Sequence, residues 1–118
     1  VVTVTSDDPA DPNHAPLVEN LRRLEAMTDQ DGAPLRVLTL PMPAAVIHEE
    51  QQLPASYANF YIGNAAVVVP TFGQPSDAVA LDTLQRLFPT RRVVGIHAVD
   101  LVWGLGTFHC VTQQQPFC

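Results

Sequence analysis

Residues 104–116 read Gly-Leu-Gly-Thr-Phe-His-Cys-Val-Thr-Gln-Gln-Gln-Pro, a glycine-containing turn that leads into a cysteine. Cys110 carries the side chain that most readily becomes a nucleophile once its proton is lost. Gly104 and Gly106 allow the backbone to turn tightly or to lie against a ligand, which makes them candidate substrate-binding residues. From the residues alone Cys110 is a candidate and no more, because a free cysteine is commonly an inert buried thiol.

Composition limits the classes of protein to which the chain can belong. Its 118 residues are the size of one modest domain with a real hydrophobic core. Hydrophobic residues make up 47% and charged residues 15%, which predicts a folded chain rather than a disordered one. A net charge of -6 argues against nucleic-acid partners. No apolar run is long enough to span a membrane and no signal sequence is evident, so we expect a soluble, cytoplasmic protein without a membrane partner.

The two cysteines are Cys110 and Cys118. A disulfide between them would close a short loop, and no geometric argument excludes it. A reducing compartment would keep both as free thiols, and two cysteines do not make a disulfide framework. Free thiols are therefore the favoured interpretation.

Three groups of polar residues raise other possibilities. The acidic turn at 6–13 could bind a cation or cap the next helix, and capping is the commoner use of such side chains. His48, Glu49 and Glu50 are adjacent in sequence and lack the spacing of a metal site, so residues 44–54 are predicted to form an exposed loop. His97, near the end of a strand, is interpreted as a hydrogen-bonded structural residue. No metal or other cofactor is expected.

Hydrophobic periodicity predicts two successive α/β units. In the first, a strand at 1–5, a helix at 15–28 and a strand at 35–40 give the pattern of a parallel or mixed sheet. In the second, strands at 55–62 and 65–70 form a hairpin around Gly63-Asn64, whose residues tolerate positive φ. Ser76 is the predicted N-cap of a helix that stops at Pro89, and a strand follows at 92–97.

Five segments resemble the agmatine deiminases, a branch of the guanidine-modifying enzymes related to the bacterial-type peptidylarginine deiminases. They occur in the family's order and span nearly the whole chain: Ser6–Pro12, Thr39–Pro43, Ser56–Asn64, Val69–Pro75 and His109–Pro116. Two departures lie in residues 104–116, which we call the cysteine stretch. Leu105 separates glycines that are consecutive in the family, and Thr107-Phe108 replaces an asparagine-isoleucine pair.

The resemblance implies a pentein-like fold, a ring of α/β modules with fivefold pseudo-symmetry around a substrate pocket. Residues 1–118 would then be the C-terminal segment of this α/β propeller, about two modules with mixed sheets and helices. The family's His-x-Asp acid-base motif and its other substrate-binding carboxylates are expected upstream of Val1. The sparse charge and the abrupt strand at the first residue agree with a missing N-terminal part.

The resemblance also implies a reaction. Cys110 would attack the guanidinium carbon of agmatine, form a covalent amidino-cysteine and release ammonia, with N-carbamoylputrescine as the product in putrescine biosynthesis. His109 should face away from the thiol's target because consecutive side chains in an extended segment point to opposite sides. The expected partners are the small guanidine substrate, the missing N-terminal modules and further copies of the chain in a homo-oligomer.

Two alternatives remain open at this point. The enzyme could act on arginine or on arginine in peptides, since the departures beside the cysteine could alter the pocket wall. Separately, the isolated chain could be a non-catalytic unit that self-associates through apolar faces meant for the missing modules. In either case the isolated segment is expected to be inactive, because a lone cysteine lacks both a clamp for the substrate and a proton shuttle.

Overall fold

The computed structural model describes residues 1–116 and confirms an α/β fold built from small mixed sheets and helices. Within these residues the elements are β1 (Val2–Thr5), α1 (His14–Glu25), β2 (Leu38–Pro41), β3 (Val46–His48), β4 (Gln51–Leu53), β5 (Tyr61–Ile62), β6 (Ala66–Thr71), α2 (Pro75–Leu87), β7 (Arg92–His97) and a 3₁₀ helix (Leu101–Gly104). No helix in this described part is both long and apolar enough to cross a membrane.

The first unit has the predicted strand–helix–strand order, and α1 connects the parallel strands β1 and β2. Leucines at helical spacing lie half-buried along α1, which packs against β1. Asn20 also reaches the sheet, where its Nδ2 donates a hydrogen bond to Thr3 Oγ1 at 3.0 Å. The helix ends at Glu25, earlier than predicted, where the N–H groups of Ala26 and Met27 donate to carbonyls only three residues back. The Asp29 carboxylate then accepts the N–H groups of Asp31 and Ala33 and stabilises the turn that follows.

The second unit is built around β6, with β5 antiparallel on one side and β7 parallel on the other. Helix α2 connects β6 to β7, packs on β7 and also contacts β2, so it joins the two units. The predicted hairpin is confirmed, but neither Gly63 nor Asn64 adopts a positive φ. The turn is instead closed by the N–H of Gly63, which donates to the carbonyl of Ala66 at 2.8 Å.

Residues 44–54 form a β-hairpin, so the predicted exposed loop was wrong. Strands β3 and β4 pair antiparallel, with Val46 opposite Leu53 and His48 opposite Gln51. Glu49 and Glu50 make the turn at φ values of 47° and 65°, which most side chains avoid. The sequence lacks the glycine or asparagine that normally marks such a turn, and this is why the hairpin was not predicted.

Most of the strand predicted at 55–62 is a turn, and only Tyr61–Ile62 pairs as β5. The N–H of Ala58 donates to Ser56 Oγ at 3.2 Å, and the N–H of Asn59 donates to the Ser56 carbonyl at 3.3 Å. Serine favours such local bonds over a strand ladder, so the chain bends before β5. This bend directs Asn59 toward the cysteine stretch.

One hydrophobic cluster joins both units. Its largest fully buried members include Tyr57, Leu40 and Leu84, which come from the bend, from β2 and from α2. Val102 of the 3₁₀ helix is also fully buried in this cluster. The cysteine stretch therefore starts from a point anchored in the core.

Asp77 organises the start of α2. Its carboxylate accepts the N–H groups of Phe72, Gly73 and Gln74 at 2.9, 2.8 and 2.9 Å, and the hydroxyl of Tyr57 donates to it at 2.7 Å. The helix consequently begins at Pro75 with Gln74 as its N-cap, and the predicted cap at Ser76 was wrong.

The same contacts determine the ionisation of Asp77 and Tyr57. Burial by itself would raise the pKa of Asp77, but the bonds from Phe72, Tyr57, Gln74 and Gly73 outweigh it, so the pKa is lowered. Burial is the largest of the effects that raise the pKa of Tyr57, and the Asp77 carboxylate adds to it. Tyr57 therefore stays protonated and continues to donate to Asp77.

Replacing Asp77 with alanine should lower the free energy of unfolding by about 2–3 kcal/mol, because several donors lose their acceptor at once. Asp82→Ala is the matched control on the same helix, where an exposed ion pair with Arg86 is worth no more than about 0.5 kcal/mol. Urea-induced unfolding followed by Trp103 fluorescence measures both variants. Equal destabilisation by the two substitutions would contradict the role assigned to Asp77.

Acid provides a second test of the same contact. The folded pKa of Asp77 lies below its ordinary value of 3.8, so its stabilisation is complete above that pH and is lost as the pH falls through the folded value. The stability difference between wild type and Asp77→Ala should therefore be constant at higher pH and shrink in strong acid. A difference that grew in acid would contradict this prediction.

Candidate functional site

The chain that leads to the cysteine stretch leaves the sheet at the end of β7. The N–H of Ala98 donates to the carbonyl of Thr71 at 2.9 Å, and the N–H of Val102 then donates to the carbonyl of Ala98, also at 2.9 Å. These bonds and the burial of Val102 fix the 3₁₀ helix, whose last residue is Gly104. Beyond it the chain turns back on itself, and Cys110 is exposed with a free thiol. Cys110 is therefore not an inert buried thiol, which was the alternative interpretation of the sequence.

Asn59 holds the cysteine through its side-chain amide. Its Oδ1 accepts the backbone N–H of His109 at 3.0 Å and that of Cys110 at 3.2 Å. Its Nδ2 donates to Cys110 Sγ at 3.0 Å. Backbone N–H groups can only donate, so the amide oxygen must face them and the NH₂ group must face the sulfur. An N–H directed at sulfur suits a thiolate, which is both a hydrogen-bond acceptor and the nucleophilic form of cysteine.

The backbone of Asn59 also forms hydrogen bonds with the residues just before Cys110. Its carbonyl accepts the hydroxyl of Thr107 at 3.1 Å and the N–H of His109 at 3.2 Å. Thr107 is fully buried, so its hydroxyl needs this acceptor. Two residues earlier, Tyr57 is bonded to Asp77 and Ser76 at the start of α2. The position of the sulfur thus depends on a chain of contacts that ends in the core.

The two glycines of the stretch have different surroundings. Gly106 is buried against the cysteine: a Cβ at this position would lie 2.6 Å from Cys110 Cβ and 2.7 Å from its Sγ, closer than real side chains approach. Gly104 is exposed, and a Cβ there would meet nothing within 4 Å. The left-handed conformation lies between them, at Leu105, whose φ is 64°. Whether Gly104 and Gly106 contact substrate stays a prediction.

His109 contacts Asn59 through its backbone N–H and not through its imidazole ring. Its imidazole is exposed and makes no hydrogen bond to Cys110 within residues 1–116. The ring lines a shallow depression of about 320 Å³ together with Ser56, Ala58 and Asn59. A direct chemical role for His109 has no contact in the structure to support it.

The other histidines singled out in the sequence lie apart from the thiol's hydrogen bonds. His48 of β3 stacks on Trp103 of the 3₁₀ helix, with ring centroids 3.7 Å apart and planes 25° from parallel. His97 is exposed at the end of β7, and in the described part of the chain its imidazole has no hydrogen bond, so the expected bonded role was wrong. Glu49 and Glu50 are exposed in the hairpin turn.

The acidic turn is stabilised by its own carboxylates and does not cap α1, so the predicted capping role was wrong: within the described residues Asn13, the N-cap of α1, makes no side-chain capping hydrogen bond. Asp8 Oδ1 accepts the N–H of Ala10 at 2.9 Å, and Asp11 Oδ1 accepts the N–H of Asn13 at 2.8 Å. The bond from Asn13 is the main cause of the lowered pKa of Asp11. The turn borders a cavity of about 510 Å³ at the carboxyl ends of β1 and β2. Within residues 1–116 no three His, Cys, Asp or Glu side chains are grouped as metal ligands.

Sequence reasoning missed the role of Asn59 in the site. The segment around it was interpreted as a hairpin strand, and the cysteine that it contacts is 51 positions away. The one available signal was the co-occurrence of the Ser56–Asn64 and His109–Pro116 segments in the order typical of one family. The predicted free thiol of Cys118 lies outside the described residues.

A family model described as Porphyromonas-type peptidyl-arginine deiminase matches residues 1–116. A protein of Lactococcus lactis, named provisionally as an agmatine deiminase, is 36% identical over 133 residues that cover 98% of this chain and 36% of the relative. The chain thus spans about a third of the length of the curated relatives it matches.

Solved structures have the same fold. A crystal structure from Porphyromonas gingivalis, provisionally named an arginine deiminase, matches with a TM-score of 0.94 and 45% identity over 98% of this chain and 34% of that one. The agmatine deiminase of Enterococcus faecalis, described as catalysing its reaction, matches with a TM-score of 0.90 and 30% identity over 98% of this chain and 36% of that one. The resemblance inferred from the five segments is confirmed, and the chain belongs to the Porphyromonas-type peptidyl-arginine deiminase family.

Proposed function

We propose that these residues carry the nucleophile of an agmatine deiminase, which hydrolyses agmatine to N-carbamoylputrescine and ammonia. The observation that carries the proposal is the exposed thiol of Cys110, held by the Asn59 amide with an N–H directed at its sulfur. Relatives named as agmatine deiminases, one of them the solved Enterococcus faecalis protein, support the choice of reaction. The reaction would serve putrescine biosynthesis in the cytoplasm.

The proposed chemistry has two stages. The Cys110 thiolate attacks the guanidinium carbon, and cleavage of a C–N bond releases ammonia once that nitrogen has been protonated. This leaves an amidino group bonded to sulfur. Water then attacks the same carbon, the C–S bond breaks, and the thiolate is regenerated with the urea product. The guanidinium charge is delocalised over three nitrogens, so carboxylates must clamp the planar group while a general acid-base moves the protons.

The clamp and the acid-base are assigned to other parts of a longer protein. In the described part of the chain, the polar side chain that contacts Cys110 Sγ is the neutral amide of Asn59, which can orient a thiolate but cannot shuttle protons. We therefore propose that residues 1–118 are the C-terminal segment of a fivefold pseudo-symmetric α/β propeller. The isolated segment would be inactive, would self-associate through apolar faces, and would dock in the full-length protein against N-terminal modules within a homo-oligomer.

A second substrate is supported by one finding. The Porphyromonas gingivalis structure, which is 45% identical to this chain, is named provisionally as an arginine deiminase. Free arginine and peptidyl-arginine carry the same guanidinium group on a similar carbon chain, so the same cysteine chemistry would apply. The substrates differ in what lies at the far end of that chain.

Turnover by the full-length protein tests the proposal. Cys110→Ala should lower the rate of ammonia release from agmatine by roughly a thousandfold or more, since removing a covalent nucleophile abolishes the staged reaction. Cys118→Ala is the matched control and should retain full activity. Arginine and arginyl peptides assayed in parallel distinguish the two candidate substrates. Unchanged turnover in Cys110→Ala would exclude the cysteine mechanism.

The two glycines provide a matched test of how the thiol is positioned. A methyl group at position 106 would collide with the Cys110 side chain, whereas one at position 104 enters open space. In a Cys118→Ser background, Gly106→Ala should slow both turnover and iodoacetamide alkylation of Cys110, the turnover by roughly a hundredfold, because small displacements of a nucleophile are costly. Gly104→Ala should change the rate of alkylation less than about twofold. Equal effects of the two substitutions would contradict the geometry.

A further inference from the structure

The sulfur of Cys110 accepts a hydrogen bond from a neutral donor. Within residues 1–116 that donor is Nδ2 of Asn59, 3.0 Å from Sγ. The stretch from Leu101 to Pro116 contains no Asp, Glu, Lys or Arg, so the segment that carries the cysteine brings no cation to the sulfur. A negative charge on Sγ would therefore be stabilised by the amide N–H, which forms a charge-assisted hydrogen bond with a thiolate.

The amide of Asn59 cannot turn over in its place. Its Oδ1 accepts the backbone N–H groups of His109 and Cys110 at 3.0 and 3.2 Å. A rotated amide would direct its NH₂ group at these two donors and its oxygen at the sulfur, and both contacts would be repulsive. The bonds to Oδ1 thus keep an N–H directed at Sγ when no substrate is bound.

The backbone that carries this amide is fixed as well. The N–H of Asn59 donates to the carbonyl of Ser56 at 3.3 Å. Tyr57 is fully buried, and the Phe60 ring packs edge-on against Phe88 with centroids 6.2 Å apart. A donor that is in place before the reaction needs no reorganisation when charge develops, and such donors contribute most to catalysis.

We propose that Asn59 is a catalytic residue, whose Nδ2 stabilises the Cys110 thiolate before attack and again when the thiolate is expelled. The inference rests on the proposed function of Cys110 and assigns a second residue of this chain to the reaction. In the covalent adduct the sulfur is bonded to carbon and is a weak acceptor. When the C–S bond breaks, its electron pair returns to the sulfur, and the hydrogen bond from Asn59 becomes charge-assisted again.

The expected effect on rate is moderate. A hydrogen bond to a charged group changes an equilibrium by roughly tenfold to a hundredfold, so its loss should lower the ratio of thiolate to thiol by that factor. The thiolate that remains is more basic and more nucleophilic, and nucleophilicity follows about the half power of basicity. The rate of attack should therefore fall only about three- to tenfold. A displaced sulfur would cost roughly a hundredfold, as predicted for Gly106→Ala.

Asn59→Asp in the full-length protein tests the proposal, because it keeps an acceptor for the N–H groups of His109 and Cys110 and replaces the donor with a charged oxygen. The ultraviolet absorbance of the thiolate, taken as the difference between each protein and its Cys110→Ala counterpart, should show a fall in the thiolate-to-thiol ratio of at least about tenfold. Adduct formation at saturating agmatine, followed by quenched-flow mass spectrometry, should slow about three- to tenfold. Asn64→Asp, which puts the same charge on an exposed turn residue, should change neither quantity.

Two results would overturn the role of Asn59. One is an unchanged thiolate-to-thiol ratio in Asn59→Asp. The other is a hundredfold loss of rate without a change in that ratio, since this would indicate a displaced sulfur and a purely structural asparagine. Should the aspartate variant not fold, Asn59→Ala removes the donor without adding a charge, and the same fall in the ratio is expected of it.

The wild-type protein distinguishes a failure of this proposal from a failure of the proposed function. If agmatine forms an adduct on wild-type Cys110 while Asn59→Asp behaves like wild type, Asn59 is not catalytic but the cysteine mechanism stands. If ammonia is released from agmatine and wild-type Cys110 never carries an adduct, the proposed function is refuted. The catalytic assignment of Asn59 would then be refuted with it, even if the thiolate measurement gave the expected fall.

Discussion

The carboxamide of Asn59 connects two parts of the chain that are 51 residues apart, and the position of the cysteine depends on it. One end of the amide accepts two consecutive backbone N–H groups, and the other donates to the sulfur. Each of these contacts is a bond of ordinary strength, worth about 1 kcal/mol in a folded protein. Their main effect is to orient the thiol, because together they hold the Cys110 side chain in one position within an otherwise exposed turn.

Both sides of this contact are anchored in the core. On the Asn59 side, Tyr57 is fully buried and its hydroxyl bonds to the Asp77 carboxylate that caps α2. On the cysteine side, Val102 is fully buried and Gly106 leaves room for the sulfur. The exposed nucleophile is therefore held by rigid elements although it lies on a loop. Such an arrangement is expected where chemistry requires an accessible thiol that does not move.

Much of the fold follows from local patterns in the sequence. The strand–helix–strand order of the first unit, the hairpin of the second and the strand at Arg92–His97 were all predicted from periodicity and turn residues. The β3–β4 hairpin was not, because Glu49 and Glu50 adopt positive φ without glycine, and tertiary contacts such as the His48–Trp103 stack must hold them there. A positive φ costs a non-glycine residue about 1 kcal/mol, so residue propensities do not predict a turn of this kind.

The site was predicted in part, for a related reason. Cys110 was predicted from its nucleophilic side chain and from the family resemblance. Asn59 was not, because a carboxamide is neither a nucleophile nor an acid or base. Its role exists only after folding has brought the bend at Ser56–Asn59 against the cysteine stretch. The glycines illustrate the same limit: identical residues two positions apart differ because a side chain packs against Gly106 and not against Gly104.

The proposed mechanism requires Sγ of Cys110 to form a bond with an amidine carbon. Treating the full-length protein with a haloacetamidine and mapping the modified peptide by mass spectrometry tests this claim. We expect stoichiometric labelling at Cys110, slowed by agmatine and strongly reduced in Asn59→Ala, with Cys118 spared. Labelling of a different residue with loss of activity, while Cys110 stayed unmodified, would contradict the account.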